Sequence, residues 1–282
     1  MRILFVTQIF PPEMGALPNR LYPLVRQLVG KGHEVFVATG MPNYPRGIVY
    51  PEYLGKRSLR EEVDGCTIFR RSYFTAPRNQ SKWSQLRNYL SFIPAVLRGG
   101  VRAGKLDVVF VTSPPLFSVI PAILLAKLRR AKVVLDVRDL WPDELMTYGG
   151  FREGSSPVRV TRAIERWAYR NADCVAATTQ AIVDVIVDRG VPREKTFLLP
   201  NGADLELFHP LPSETQSPMN TPSGIASWLC IQACSELNTV LKSCWKRQLY
   251  CANTKISCSS CSGMAPGEMP WSVRQKRWAW TT

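Results

Sequence analysis

The chain has 282 residues, 45% of them hydrophobic, and a formal net charge of +14. That length can bury a sizeable core and hold one large domain or two smaller ones. The composition excludes a fibrous chain, and no window reaches the roughly 18 continuous apolar residues of a membrane-spanning helix. Residues 1–217 carry 29 Lys and Arg against 20 Asp and Glu; residues 218–282 carry 7 against 2. The latter stretch also holds six of the eight cysteines and five of the eight tryptophans. The body and the tail are therefore two different kinds of sequence.

In chain order, Ile3 to Thr7 is a short apolar run of the kind buried on both faces of a sheet. No signal-peptide pattern precedes it, because the strand pattern begins at once. A loop with Pro11, Pro12 and Gly15 follows. Leu17, Leu21, Leu24, Val25, Leu28 and Val29 then recur at helical spacing, closed by Gly30 and Gly32. Glu34 to Thr39 is a second strand, which completes a βαβ unit with a right-handed crossover. Ligands of such sheets lie at the carboxyl ends of the strands, so the loop from Gln8 to Gly15 is the expected mouth.

The segment MPNYPRGIVYPEYLGKR is punctuated by Pro42, Pro45, Gly47 and Pro51. It reads as a long loop at the same mouth, either a packed surface or a binding wall that uses Tyr44, Tyr50 and Tyr53. Thr67 to Arg71 is the third strand. Arg78 to Arg102 interleaves Arg78, Lys82, Arg87, Arg98 and Arg102 with Trp83, Leu86, Tyr89, Leu90, Phe92, Ile93 and Leu97. Such a basic amphipathic helix suits an anionic membrane surface. It equally suits the crossover helix that parallel strands require, and the two roles are compatible.

Leu106 to Thr112 is a buried strand ended by Ser113-Pro114-Pro115, and Leu116 to Arg129 is an apolar helix. Lys132 to Val137 runs into the polar segment from Arg138 to Glu144, at the ligand edge of the sheet, where Asp139 could also cap the next helix. Pro157 to Asn171 is helical, Cys174 to Thr178 is a strand, and Thr179 caps a helix to Arg189. Thr196 to Leu199 is the last strand, and Pro200-Asn201-Gly202-Ala203-Asp204 turns away. The fold class is α/β: seven strands alternating with helices in a Rossmann-like doubly wound parallel sheet, followed by an irregular tail.

Neither histidine sits in a nucleophile motif; His33 ends the first helix, where its role is structural, and His209 follows the last strand. Cys66 and Cys174 are isolated in strand patterns, which suits a reducing cytoplasmic setting. There is no GxGxxG and no GxxxxGK[ST], so no dinucleotide or Walker-type site, no cofactor and no nucleic-acid partner is expected. The loops present backbone amides, Arg20, Arg138 and Asp139, a set suited to an anionic, sugar-like ligand.

The order LFVTQIFPPEMGALPNRLYPLVRQLVGKGHEV, MPNYPRG, SPP, DVRDLWPDEL and LPNGADLELF resembles the N-terminal half of retaining glycosyltransferase family 4. Within it, the likeness is to the bacterial fucosamine-transferase-like branch that builds surface polysaccharides on lipid carriers. The resemblance covers residues 1–212 and implies a GT-B enzyme, two Rossmann-like domains facing across a cleft. The N-terminal domain would take the acceptor, a lipid-linked saccharide, and the second domain the donor, a UDP-sugar. Gly15 matches the second glycine of a Gly-Gly loop that approaches the donor phosphates, with Met14 where the first glycine is usual, which restricts the backbone there. Asp139 matches the catalytic segment facing the transferred sugar, beside Arg138; Arg20, Asn201 and Gly202 complete the substrate-binding set, the last two at the turn between the domains. The family's principal cations for the leaving phosphate lie in the second domain. The expected location is the cytoplasm, peripheral to the inner face of the plasma membrane.

From about Gln216 a second such domain should open with an apolar strand and a glycine loop, and the chain does not. Cys258 and Cys261 form a CxxC, but Cys230 and Cys234 lack finger-like spacing and no His follows His209, so no metal site is expected. Reading plausible codons of Ser227 to Gln248 and Ile256 to Trp280 from one shifted frame yields strand, glycine loop and helix twice over. Residues 213–282 are thus expected to be an aberrant, poorly folded tail that replaces a donor domain, leaving the transferase inactive alone. The alternative is a non-enzymatic module that binds a lipid-linked sugar or a partner transferase.

Overall fold

The computed structural model describes residues 1–77, 81–147 and 150–202. The domain boundary at 212, the tail, His209 and Arg78 lie outside the described residues. β1 (Arg2–Val6), α1 (Ala16–Gly30) and β2 (Glu34–Gly40) form the expected βαβ unit. β3 (Ser58–Val63) and β4 (Cys66–Arg71) follow, then α2 (Lys82–Gly100), β5 (Val108–Ser113) and α3 (Val119–Arg129). β6 (Lys132–Val137), α4 (Asp143–Thr147), α5 (Ser156–Asn171), β7 (Cys174–Ala177), α6 (Gln180–Asp188) and β8 (Thr196–Leu198) complete the described body. The sheet runs β3-β4-β2-β1-β5-β6-β7-β8, and every pairing except β3 with β4 is parallel. The strand order reverses between β1 and β5, so the mouth lies at their carboxyl ends.

Alternation along the strands divides the core into two layers. Ile3, Phe5, Val35, Val37 and Phe110 face the apolar stripe of α1, Leu17, Leu21, Leu24, Val25 and Leu28. Leu4, Val6, Ala38, Val109, Val111 and Leu135 face the other way, toward Phe92 and Val96 of α2 and Val119, Ala122 and Ile123 of α3. α2 and α3 approach closely at Gly100, where an added Cβ would lie 2.5 Å from Leu125 Cδ1. The crossover role of α2 is therefore realised, with Trp83, Arg87, Leu90 and Arg98 left on its exposed side. Among the described residues no helix is long and apolar enough to cross a membrane. Ser81 caps α2 through Ser84 N and Thr179 caps α6 through Ile182 N. Leu116–Ser118 form a 3-10 turn before α3, a tighter start than the continuous helix expected.

The sheet has one strand more than the seven expected. β3 is an antiparallel edge strand, and its sequence SLREEV is too charged to read as core-forming. Charge suits an edge, because it discourages pairing with another chain. The signal that could have found it is Asp64-Gly65, both at positive φ (47° and 77°), the two-residue hairpin turn favoured by the strand twist. Gly65→Ala would put a Cβ 2.8 Å from Val29 Cγ1 at a left-handed position. It is expected to cost about 1–2 kcal/mol, read as a lower denaturation midpoint with an unchanged m-value.

Candidate active site at the carboxyl edge of the sheet

The β1–α1 loop is held by a carboxylate that the sequence reading passed over. Glu13 is 1% exposed and accepts backbone N–H groups from Phe10 (3.1 Å), Asn43 (2.8 Å) and Tyr44 (2.8 Å). It ties the loop after β1 to the loop after β2. Burial nonetheless raises its pKa above the usual glutamate value, because desolvation outweighs the three donors. Arg70, also 1% exposed, supports the same loops from β4 by donating to Glu61, to the Pro11 carbonyl and, at 3.5 Å, to the Gly40 carbonyl. Two buried charges, separated by 57 positions, thus shape the mouth.

Gly15 sits at the start of α1 with φ 157°, and a Cβ there would meet Tyr44 Cε1 at 3.0 Å. The Tyr44 ring thus touches the loop expected to approach donor phosphates. Tyr50 donates to the Tyr44 carbonyl (2.7 Å) and Tyr53 to Glu61 (3.1 Å), so both brace the structure. Of the three tyrosines singled out in the sequence, Tyr44 lines a cleft. This opening, about 670 Å³ including its open mouth, is walled by Gln8 and Ile9 after β1, Asn43, Tyr44, Pro45 and Gly47 after β2, Tyr73, Ala76 and Pro77 after β4, and Ser84, Gln85, Asn88 and Tyr89 of α2. Gln8 donates to Asn88 (2.7 Å), Asn88 to the Phe74 carbonyl (2.8 Å), and Asn43 to Met41 O (2.8 Å) and Tyr73 OH (2.9 Å). Gln8 and Asn43 lie in loops that the sequence placed at the mouth, but neither they nor Tyr73 and Asn88 were singled out as site residues, because no motif joins positions so far apart.

Arg20, expected to face an anionic ligand, is 7% exposed and turned inward. It donates to Asp136 (2.7 Å), the Leu199 carbonyl (3.0 Å) and Asn201 Oδ1 (2.7 Å). Asp136 is fully buried, and desolvation, only partly offset by Arg20, raises its pKa. Two of the expected site residues, Arg20 and Asn201, are thus joined, and α1 is tied to the exit of β8. Gly202 is the last described residue. Arg138 N extends the β6 ladder to Ser113 O (2.9 Å). Asp139 is half-exposed and makes no hydrogen bond or ion pair among the described residues, so it caps no helix there. The segment after it is clamped by Arg189, which donates to Trp141 O (3.0 Å), Glu165 (2.5 Å) and Asp143 (2.5 Å). His33 lies with Nδ1 3.4 Å from the Met1 amino group, away from this edge.

A doubly wound, mostly parallel sheet with its built loops and cleft at the carboxyl edge defines the class: a Rossmann-like α/β domain. The chain belongs to the glycosyl transferase 4-like domain family, whose model matches residues 15–202. It is 28% identical over 215 residues to the putative colanic acid biosynthesis glycosyl transferase WcaI of Escherichia coli K12, covering 74% of this chain and 52% of that protein. The chain therefore spans about half the length of the curated relative it matches. Solved structures similar to it include the catalytic domain of starch synthase IV from Arabidopsis thaliana, bound to ADP and acarbose (15% identity, 73% of this chain and 52% of that one, TM-score 0.47). Another is HepE of Anabaena in complex with UDP-glucose (16% identity, 75% and 47%, TM-score 0.43).

Glu13→Ala would leave three buried N–H groups without their acceptor, at an expected cost of about 1–3 kcal/mol. The sign with pH follows from the raised pKa. The glutamate's contribution is complete below its unfolded value and is lost as pH rises through the folded one. Denaturation of wild type and variant across pH should therefore give the widest stability gap near about pH 4, narrowing toward neutrality.

Proposed function

We propose that this domain is the acceptor half of a nucleotide-sugar glycosyltransferase of surface-polysaccharide assembly. A UDP-sugar would place its diphosphate against the Gly15 loop, and a lipid-linked saccharide would place its terminal sugar in the neighbouring cleft. One observation carries the reading: the Tyr44 ring belongs to the cleft wall and also packs on Gly15, so the two ligands would meet there. In the transfer, an acceptor hydroxyl oxygen bonds to the anomeric carbon as the bond from that carbon to the diphosphate oxygen breaks, and the hydroxyl proton leaves for solvent or the departing phosphate. The domain's share is orientation of the acceptor and exclusion of water from one side. Asp139, half-exposed at the carboxyl end of β6 and without an ion pair among the described residues, is the group proposed to face the transferred sugar. The exposed Arg87, Arg98 and Arg102 would lie toward the anionic carrier and the inner surface of the plasma membrane.

Transfer also needs groups that hold the nucleotide from the opposite side, and these we assign to a second domain read in another frame after about Gln216. The test compares transfer from a panel of UDP-sugars by the chain as written and by a version with its frame restored. The restored protein should turn over, and Asp139→Asn should lower its kcat about 100-fold without loss of folding. Comparable turnover by the chain as written would reject the missing-half assignment. For the membrane, changing Arg87, Arg98 and Arg102 together to Glu should abolish co-sedimentation with anionic liposomes at low salt, and unchanged binding would leave α2 as packing alone.

A further inference from the structure

We infer that Arg71, Arg98 and Arg102 form a phosphate site that takes the headgroup of an anionic lipid; this sharpens the membrane contact proposed above and rests on it. Arg71 ends β4 on the same sheet face as Phe69, toward α2. Its side chain crosses α2 at Gly99, where an added Cβ would lie 3.7 Å from Arg71 Cγ. Arg98 precedes that glycine, and Arg102 stands one turn further on, in the 3-10 turn Val101–Ala103. Arg98 and Arg102 are exposed, whereas Arg71 is half-buried and its Nε is shut off from solvent without a hydrogen-bond partner. Burial lowers the pKa of Arg71, and the charges of Arg102 and Arg98 lower it further.

Among the described residues none of the three makes an ion pair or a side-chain hydrogen bond. Glu62, which strand alternation puts on the same face of β3, is bound by Arg60 at 2.8 Å. The carboxyl end of α2 sets only about half a unit of negative charge against the three cations. A phosphate answers the remainder, because a guanidinium fork meets its oxygens two at a time, which an ammonium cannot do. The surroundings favour a phosphate carried by a lipid. Val101, between the two exposed arginines, is 42% exposed. Arg129 donates to the Val101 carbonyl (2.8 Å), which brings the end of α3 alongside, with Leu124 and Leu128 45% and 65% exposed. Cations beside exposed aliphatic side chains suit a headgroup with acyl chains next to it, where a free phosphate would use the cations alone.

The test uses the full chain and two probes, inorganic phosphate and phosphatidylcholine vesicles doped with phosphatidylglycerol. Co-sedimentation reads the vesicles, and the arginine Nε–Hε NMR signals read the phosphate, which should move those of Arg71, Arg98 and Arg102. Arg71→Lys keeps the charge but loses the fork, and should weaken vesicle binding about tenfold, the loss of one charge-assisted hydrogen bond. Arg102→Lys, at an exposed position, should act in the same way if Arg71→Lys disturbs the fold. Arg26→Lys, on α1 and so on the opposite face of the sheet, should change nothing. Leu124→Ser with Leu128→Ser should weaken vesicle binding and leave the response to inorganic phosphate as it was. If both lysine variants bind vesicles like the unaltered chain while the triple Glu variant above does not, the cations act as diffuse charge and this inference alone falls. If phosphate moves the arginine signals but no vesicle is bound, the lipid assignment falls together with the membrane contact. If neither probe is bound, there is no site.

Discussion

The constraint on which the mouth of this domain depends is that Glu13 gives one carboxylate to three backbone N–H groups in two loops. The loops after β1 and β2 carry five of the prolines in the first 51 residues, so they supply few backbone donors for ladders of their own. A side chain must then hold them, and a buried carboxylate is the strongest acceptor available. Because Glu13 accepts from both Asn43 and Tyr44, the position of the Tyr44 ring follows from it, and with that ring the wall shared by the cleft and the Gly15 loop. Arg70 adds the third loop edge, through Glu61 and the Pro11 carbonyl, so both charges that shape the mouth are buried behind its loops.

A second buried pair sets the opposite side. Arg20 and Asp136 join α1 to β6, and the remaining donors of Arg20 reach Leu199 and Asn201 where the chain leaves β8. Removing one partner of such a pair is costly because the other charge is left in the interior. The helix that begins at Gly15 therefore cannot shift without disturbing the exit toward residue 202. That link gives a physical reason for Arg20 to be turned inward, where sequence alone suggested a ligand.

The basic helix α2 shows how one segment serves two demands. Phe92, Ala95 and Val96 face the sheet, Ser84, Gln85, Asn88 and Tyr89 wall the cleft, and Trp83, Arg87, Leu90 and Arg98 remain outside. A crossover helix is obligatory in this topology. Its exposed side is free to carry whatever composition a partner surface requires.

What the sequence determined by itself was the class of fold and the edge at which to look. Apolar runs alternating with helical periods marked the strands β1, β2 and β4 to β8 and their parallel sense, and the motifs from PPEMG to LPNG marked the family, because both signals are local in the chain. The charged edge strand β3 escaped, since SLREEV has no buried face to announce it, although Asp64-Gly65 carried the hairpin. The tertiary structure alone decided which polar residues meet. Glu13 with Asn43, Gln8 with Asn88 and Arg20 with Asn201 are separated by 30, 80 and 181 positions, and no spacing rule joins them. Periodicity reports which face a residue occupies; only the packing of distant loops at one sheet edge determines what that face can bind.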